Sequence, residues 1–308
     1  MSRVLSPLEA LSDDLVVHIF LALAHPLYPH PAFALSNSCR TVLAAVAHYR
    51  NHVTANGTSV YRVHLRWATA ASSLVQRRFG TSALDGALRV ARDVMQCDTR
   101  MPACDLDVLG YLLSSWLPTV TVLFLARVRI EGDGATLLFR RLAVGGGAVS
   151  LLHIYIDDSF VDAAGVQALG IALRRGSMPA IETIYLGGNP IGVRPVGSRG
   201  IATLAASLRS RPRFRYLHLD RCLLRDADII AMFAACGEGD FPALTSLGLE
   251  RNSIGSEGVL VLASAIGRGV FPALRAERLG LSRNRASDAA LAELSRSFGR
   301  RAARGLQL

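Results

Sequence analysis

The chain has no lysine: all 34 basic residues among its 308 are arginine. Chemistry that needs an amine side chain, such as a Walker-type phosphate lysine or a Schiff base, is therefore excluded. A G+C-rich coding sequence accounts for this as readily as selection against lysine-directed modification does. Cysteine is scarce. Cys39, Cys97, Cys104, Cys222 and Cys236 are odd in number and show no C-x-x-C spacing. That argues against a disulfide framework or a zinc site and leads us to expect a reducing compartment, cytoplasmic or nuclear. Long apolar runs are missing too. The longest, Leu15–Ala24, contains His18 and is about half the ~20 residues a bilayer-spanning helix needs, so no membrane segment is expected. Ala22-Leu23-Ala24 resembles a signal cleavage site, but Glu9, Asp13 and Asp14 stand where a basic region should be; secretion is not expected. No H-E-x-x-H or G-x-S-x-G pattern occurs. The expectation is a non-enzyme with no metal and no cofactor.

What is present is a repeat. The clearest copy reads Leu244-x-x-Leu247-x-Leu249-x-x-Asn252-x-Ile254, then Gly258, Val259, Leu262, Ala263 and Ile266. The same template fits Ile181, Ile184, Leu186, Asn189 and Ile191. It fits Phe214, Leu217, Leu219, Cys222 and Leu224, and also Leu151, Ile154, Ile156, Ser159 and Val161. Looser copies begin at Val120 and Ala276. Start-to-start spacings are 31, 30, 33, 30 and 32 residues. Each copy alternates as a strand with one buried face, then switches to helical spacing. Units this small bury their apolar faces only by stacking on neighbours. Asn189, Asn252 and Asn284 sit where the chain leaves each strand, where a side-chain amide can satisfy backbone groups of the turn and of the next coil. Cys222 fills the same slot and is expected to be structural. Ser159 and Val128 depart from the rule. Insertions fall within Val193–Ser198 and around Glu277, and Leu306-Gln307-Leu308 could form one more strand.

This pattern resembles leucine-rich repeats of the long, ribonuclease-inhibitor type. The resemblance covers residues 117–308 and implies an α/β solenoid: a curved parallel sheet inside, helices outside, preceded by a small all-helical region. Gly132-x-Gly134 opens like a dinucleotide fingerprint, but Leu137 stands where its third glycine should be, and the repeat accounts for both glycines. Arg296, Arg300, Arg301 and Arg304 are expected to form the polar outer face of a terminal repeat. The Arg209-x-Arg211-x-Arg213-x-Arg215 run is expected to be a solvated turn.

Outward strand positions on such a sheet form a column: Phe124, Tyr155, Tyr185, His218, Gly248, Gly280, flanked by His153 and Tyr216. Toward the turn lie Asp157, Asp158, Asp220, Arg221, Glu250, Arg251 and Arg283. Aromatics beside mixed charges have the composition of a protein-binding hot spot. From Pro118 on, 24 arginines stand against 16 acidic residues, net +8, so acidic partners are expected to associate faster. A protein partner is expected, nucleic acid is not, and the chain is expected to be monomeric outside its complex.

Near the N-terminus, Leu8, Leu11, Leu15, Ile19 and Leu23 fall at helical spacing behind Ser12-Asp13-Asp14, a helix cap with early acids. After a proline-broken stretch come Leu35, Ser38, Cys39, Arg40 and Val42. Residues 8–46 resemble an F-box, carried by Leu11, Leu15, Ile19, Phe20, Leu35, Cys39, Arg40 and Val42. An ordinary helical cap for the repeat stack fits the same residues. The F-box resemblance implies docking of a Skp-type adaptor in a Skp–cullin–F-box ubiquitin ligase, with the repeats as substrate receptor. The expected organisation is residues 1–50 F-box-like, 51–116 connecting or capping, and 117–308 repeats. Two further readings stay open: a stand-alone repeat scaffold or inhibitor, and a Ran-type GTPase-activating protein, which the lack of an acidic tail after the repeats makes the weaker.

Overall fold

The computed structural model of the chain describes residues 93–95, 100–115, 117, 119–144, 147–193 and 197–305, together with Leu74. By its contacts the chain divides into Met1–Leu88 and Arg89–Leu308, and every element below belongs to the second unit.

That unit alternates short strands with helices. In chain order these are β1 (Asp93–Met95), β2 (Arg100–Met101), α1 (Ala103–Ser115), β3 (Val122–Phe124), β4 (Arg129–Ile130), α2 (Gly134–Val144), β5 (His153–Tyr155), α3 (Ala163–Arg174) and β6 (Thr183–Tyr185). There follow α4 (Gly197–Leu208), β7 (Tyr216–His218), α5 (Asp226–Phe233), β8 (Ser246–Gly248), α6 (Ser256–Gly267), a 3-10 turn (Ala276–Arg278), β9 (Leu279–Gly280) and α7 (Asp288–Gly305). Among the described residues seven strands form one sheet in the order β1-β3-β5-β6-β7-β8-β9, and β2 pairs with β4. Every pairing is parallel. Successive helices pack on one another in the same order, from α1 on α2 to α6 on α7. The result is a solenoid-like α/β stack.

Register follows the repeat. Val94, Leu123, Ile154, Ile184, Leu217, Leu247 and Leu279 stand side by side across the sheet. Leu123, Ile154, Ile184, Leu217 and Leu247 are almost wholly buried; each such burial contributes about 1.5–3 kcal/mol. Helix residues at 3.6-residue spacing close the core from the other side, as with Val166, Leu169, Ala172 and Leu173 in α3. Phe233, Phe241 and Phe271 form a buried aromatic cluster under the later repeats, with centroids 5.1–6.0 Å apart.

The sheet starts earlier than residue 117. β1, β2 and α1 form a further coil ahead of it, with Met101 aligned on Ile130. Its strand reads Asp93-Val94-Met95, so only Val94 carries the usual branched apolar signal, and the template does not stand out in the sequence. The insertion near Glu277 is the 3-10 turn that delivers the chain to β9. Residues 194–196 of the other insertion, and Leu306–Leu308, lie outside the described residues.

The asparagines point backwards rather than forwards. Asn252 Oδ1 accepts from the N–H groups of Cys222 (2.9 Å) and Leu224 (3.0 Å), and its Nδ2 donates to Leu219 O and Leu249 O. Asn189 serves Ser159 N, Val161 N, Ile156 O and Leu186 O in the same way. The partners belong to the asparagine's own turn and to the preceding coil, because that is the coil whose descending backbone passes under the amide. Ser159 and Cys222 keep half of this function. Ser159 Oγ donates to Leu125 O at 2.6 Å and Cys222 Sγ to Leu186 O at 3.1 Å. Burial pushes the Cys222 thiol up to about 12, which agrees with a structural cysteine.

Several arginines do the corresponding work on the helix side. Arg211 donates to Leu173 O, Met178 O and Ser207 O. Arg268 donates to Phe233 O and Cys236 O, and Arg301 to Phe271 O and Leu274 O. The planar fork of guanidinium reaches two carbonyls at once, which an ammonium group on a lysine stem does less well. Arg211 and Arg301 are thus corrections to the expectation of a solvated run and a purely polar end face. The last carbonyls of a helix need donors: Arg211 and Arg268 supply them at Leu173 and Phe233, and Arg301 serves the turn that follows α6.

Candidate interaction surface

Strand alternation fixes the surface. With Leu or Ile of each strand turned toward the helices, the residues on either side of it turn the other way. Register then aligns Phe124, Tyr155, Tyr185, His218, Gly248 and Gly280 in one row, and Val122, His153, Thr183, Tyr216 and Ser246 in the next. The first row is a continuous ring ladder. Centroids are 5.6 Å apart for Phe124–Tyr155, 5.0 Å for Tyr155–Tyr185 in an edge-to-face arrangement, and 4.2 Å for Tyr185–His218. His153 lies beside Tyr155, and its Nδ1 is 3.0 Å from Thr183 Oγ1.

Past the strand ends lie acids, then arginines. Asp157 Oδ1 accepts from Gly187 N, and Asp220 Oδ1 from Glu250 N, both at 2.8 Å. Each acid therefore ties its own coil to the following one. The outermost row is the turn position with left-handed backbone: Arg127, Asp158, Gly188, Arg221, Arg251 and Arg283, all at positive φ. Arg221 pairs with Asp158 at 2.9 Å, across the coil between them. Gly188 makes that bridge possible, since a Cβ there would overlap the Asp158 carboxylate.

The ladder stops at Gly248 for a physical reason. A Cβ at this position would lie 2.6 Å from Asp220 Oδ2 and 2.8 Å from His218 Nδ1. The glycine lets Asp220 approach His218, Nδ1 to Oδ2, at 3.4 Å, while Ser246 Oγ lies 3.3 Å from His218 Nε2. Beyond the last ring opens a hollow of about 360 Å³ lined by residues including His218, Asp220, Ser246, Glu250, Glu277 and Arg278.

Asp157 and Asp220 occupy the same slot in different coils yet titrate in opposite directions. Burial raises Asp157 above the usual carboxylate range, and neighbouring Asp158 adds to it, against the lowering bond from Gly187 N. Burial pushes on Asp220 as well, but the bonds from His218 and Glu250 N outweigh it and hold Asp220 low. A depressed folded-state pKa gives stability that is present above the unfolded value and lost as pH falls through the folded value; a raised one acts in reverse and is lost as pH rises. Asp220→Asn is therefore expected to destabilise at pH 7 and to matter less at pH 3. Asp157→Asn, which keeps the acceptor for Gly187 N, is expected to be neutral or stabilising at pH 7. Urea unfolding of both variants at the two pH values checks the signs.

All the expected face residues are thus placed: Phe124, Tyr155, Tyr185, Tyr216, His218, Asp157, Asp220, Arg221, Glu250, Arg251 and Arg283 share one side of the sheet or its turn edge. Sequence reading missed the Asp158–Arg221 bridge, the Ser246–His218 contact and the contribution of Glu277 and Arg278. The first two follow from aligning columns two coils apart or on the diagonal; the last depends on the 3-10 turn, which has no counterpart among the other described coils. The F-box-like residues Leu11, Leu15, Ile19, Phe20, Leu35, Cys39, Arg40 and Val42 lie outside the described residues. Among the described residues no group of three His, Cys, Asp or Glu side chains could hold a metal ion, and no helix is long and apolar enough to cross a membrane. No protein-family model matches the chain, and no curated protein matches it either.

Proposed function

We propose that this chain is a leucine-rich repeat protein that binds another protein on the ladder face of its sheet, and that its N-terminal segment acts as an F-box-like adaptor-docking motif. The observation that carries the binding reading is the unbroken row Phe124–Tyr155–Tyr185–His218. Rigid aromatic groups held side by side, with charges along one edge, lose little entropy on binding and bury much apolar area. Repeat spacing of 30–33 residues and the Asn189, Asn252 and Asn284 slots support the repeat class. The protein would do no chemistry itself; joined to a ligase it would raise the local concentration of a captured substrate.

Pull-down with a Skp-type adaptor tests the docking half. Wild type should retain the adaptor, and Leu15→Asp combined with Ile19→Asp should abolish retention. An adaptor that never binds wild type removes the ligase reading. A stand-alone scaffold is the second reading, favoured because the ladder and all the sheet strands described fall within Arg89–Leu308. On that reading the chain ignores the adaptor and still holds its partner.

A further inference from the structure

The ladder face changes character along its length, and the change says what should lie on it. At one end are Phe124, Tyr155 and Tyr185, with apolar ring surface. At the other, Gly248 and Gly280 remove two side chains from the row. Asp220, Glu250 and Glu277 surround the space they leave, with Arg278 the one arginine among its lining residues. This local excess of negative charge stands out in a chain whose formal charge is +10. Its glycines cannot be enlarged without collision: a Cβ at Gly280 would lie 2.9 Å from Glu250 Cγ. The volume of about 360 Å³ suits one long side chain rather than a folded element. A cation in the hollow would also lie next to the His218–Tyr185 end of the ladder, whose ring faces favour positive charge and cover an apolar stem.

We propose, resting on the protein-binding reading above, that the occupant of this face is an extended peptide segment that crosses the strands, sets an aromatic or aliphatic side chain on Tyr155 and Tyr185, and puts an arginine or lysine into the hollow at Gly248. Geometry fixes the spacing between the two anchors. From the Tyr155–Tyr185 contact to Gly248 is two and a half strand intervals, roughly 12 Å at ~4.8 Å each. An extended chain advances ~3.4 Å per residue. The basic residue therefore comes three to four positions from the apolar one. Arg251 and Arg283, exposed on the turn edge, meet carboxylates flanking that pair. They also account for how a face that selects a cation belongs to a protein whose long-range field draws acidic partners.

The test is selection of random 12-residue peptides displayed on phage against the full chain, followed by titration of the enriched peptides. The expected enrichment is an arginine or lysine three to four positions from an aromatic or aliphatic residue. Binding should weaken at least tenfold in the Glu250→Gln, Glu277→Gln double variant, which keeps side-chain shape, and also in Tyr185→Ala; circular dichroism melts confirm that each variant is folded. Peptides that need Tyr185 but bind the glutamine variant as tightly as wild type, or that are enriched in acids at the second anchor, overturn the basic-side-chain assignment and leave the ladder face as the binding surface. Peptides indifferent to both sets of variants, or no enrichment at all, overturn the face itself.

Discussion

Replacing Asn252 with leucine is expected to lower stability by on the order of 4 kcal/mol, and Asn189→Leu, which removes the equivalent four bonds, by a similar amount. Leucine keeps the branched four-atom skeleton but is bulkier, so some overpacking adds to the loss of hydrogen bonds. What goes is the acceptor for Cys222 N and Leu224 N and the donor for Leu219 O and Leu249 O. Asn252 is buried, so water cannot easily replace it, and each stranded backbone group costs about 1–3 kcal/mol before relaxation. A melt should show the midpoint falling by about 10 °C. Asn284→Leu should cost less, because Asn284 accepts from Ile254 N alone and is more open. Equal losses for the two variants would mean that the amide ladder is not what holds successive coils together.

Gly200→Val should cost about 3 kcal/mol or more, through overpacking that the helices cannot relieve. α3 and α4 touch through glycine at two points. A Cβ at Gly200 would overlap Ala163 O, and a Cβ at Gly170 would come 2.8 Å from Leu204 N. In both cases the obstacle is backbone, so no rotamer change opens space, and the helices must separate. Gly299 in α7 is the control. Nothing lies near its absent Cβ, so Gly299→Ala should stabilise by about 0.5–1 kcal/mol through helix propensity alone. Urea denaturation of the two variants should show midpoints moving in opposite directions.

Six coils were legible in the sequence because a buried branched residue in every strand and a fixed slot after it recur in phase, and register then follows without further information. β1 was not legible, since Asp93 and Met95 lack the pattern and only pairing with β3 reveals the strand. The ladder was legible for the same reason as the register: strand parity assigns Phe124, Tyr155, Tyr185 and His218 to one side. The hollow beside it was not. It depends on what Gly248 and Gly280 leave open and on a 3-10 turn that brings Glu277 and Arg278 to its edge, and neither is periodic. Arg211 and Arg301 were misread because arginine-rich segments usually face water, whereas here each guanidinium finds backbone carbonyls of the coil before it, at the end of α3 for Arg211 and in the turn after α6 for Arg301.

The backward aim of the asparagine amides makes the two ends of the stack unequal. Each coil depends on the one that follows it for acceptors to its N–H groups, so loss of the C-terminal coil uncovers Ile254 N, and loss of the next uncovers Cys222 N and Leu224 N. Removal from the other end leaves the amide-bonded donors covered and uncovers a single N–H where an acid of the lost coil had accepted it, Gly187 N for Asp157 and Glu250 N for Asp220. Fraying should therefore travel from the C-terminus inward, and it should pause less at Ser159 and Cys222, where a hydroxyl or thiol stands in for the amide, than at Asn189 and Asn252.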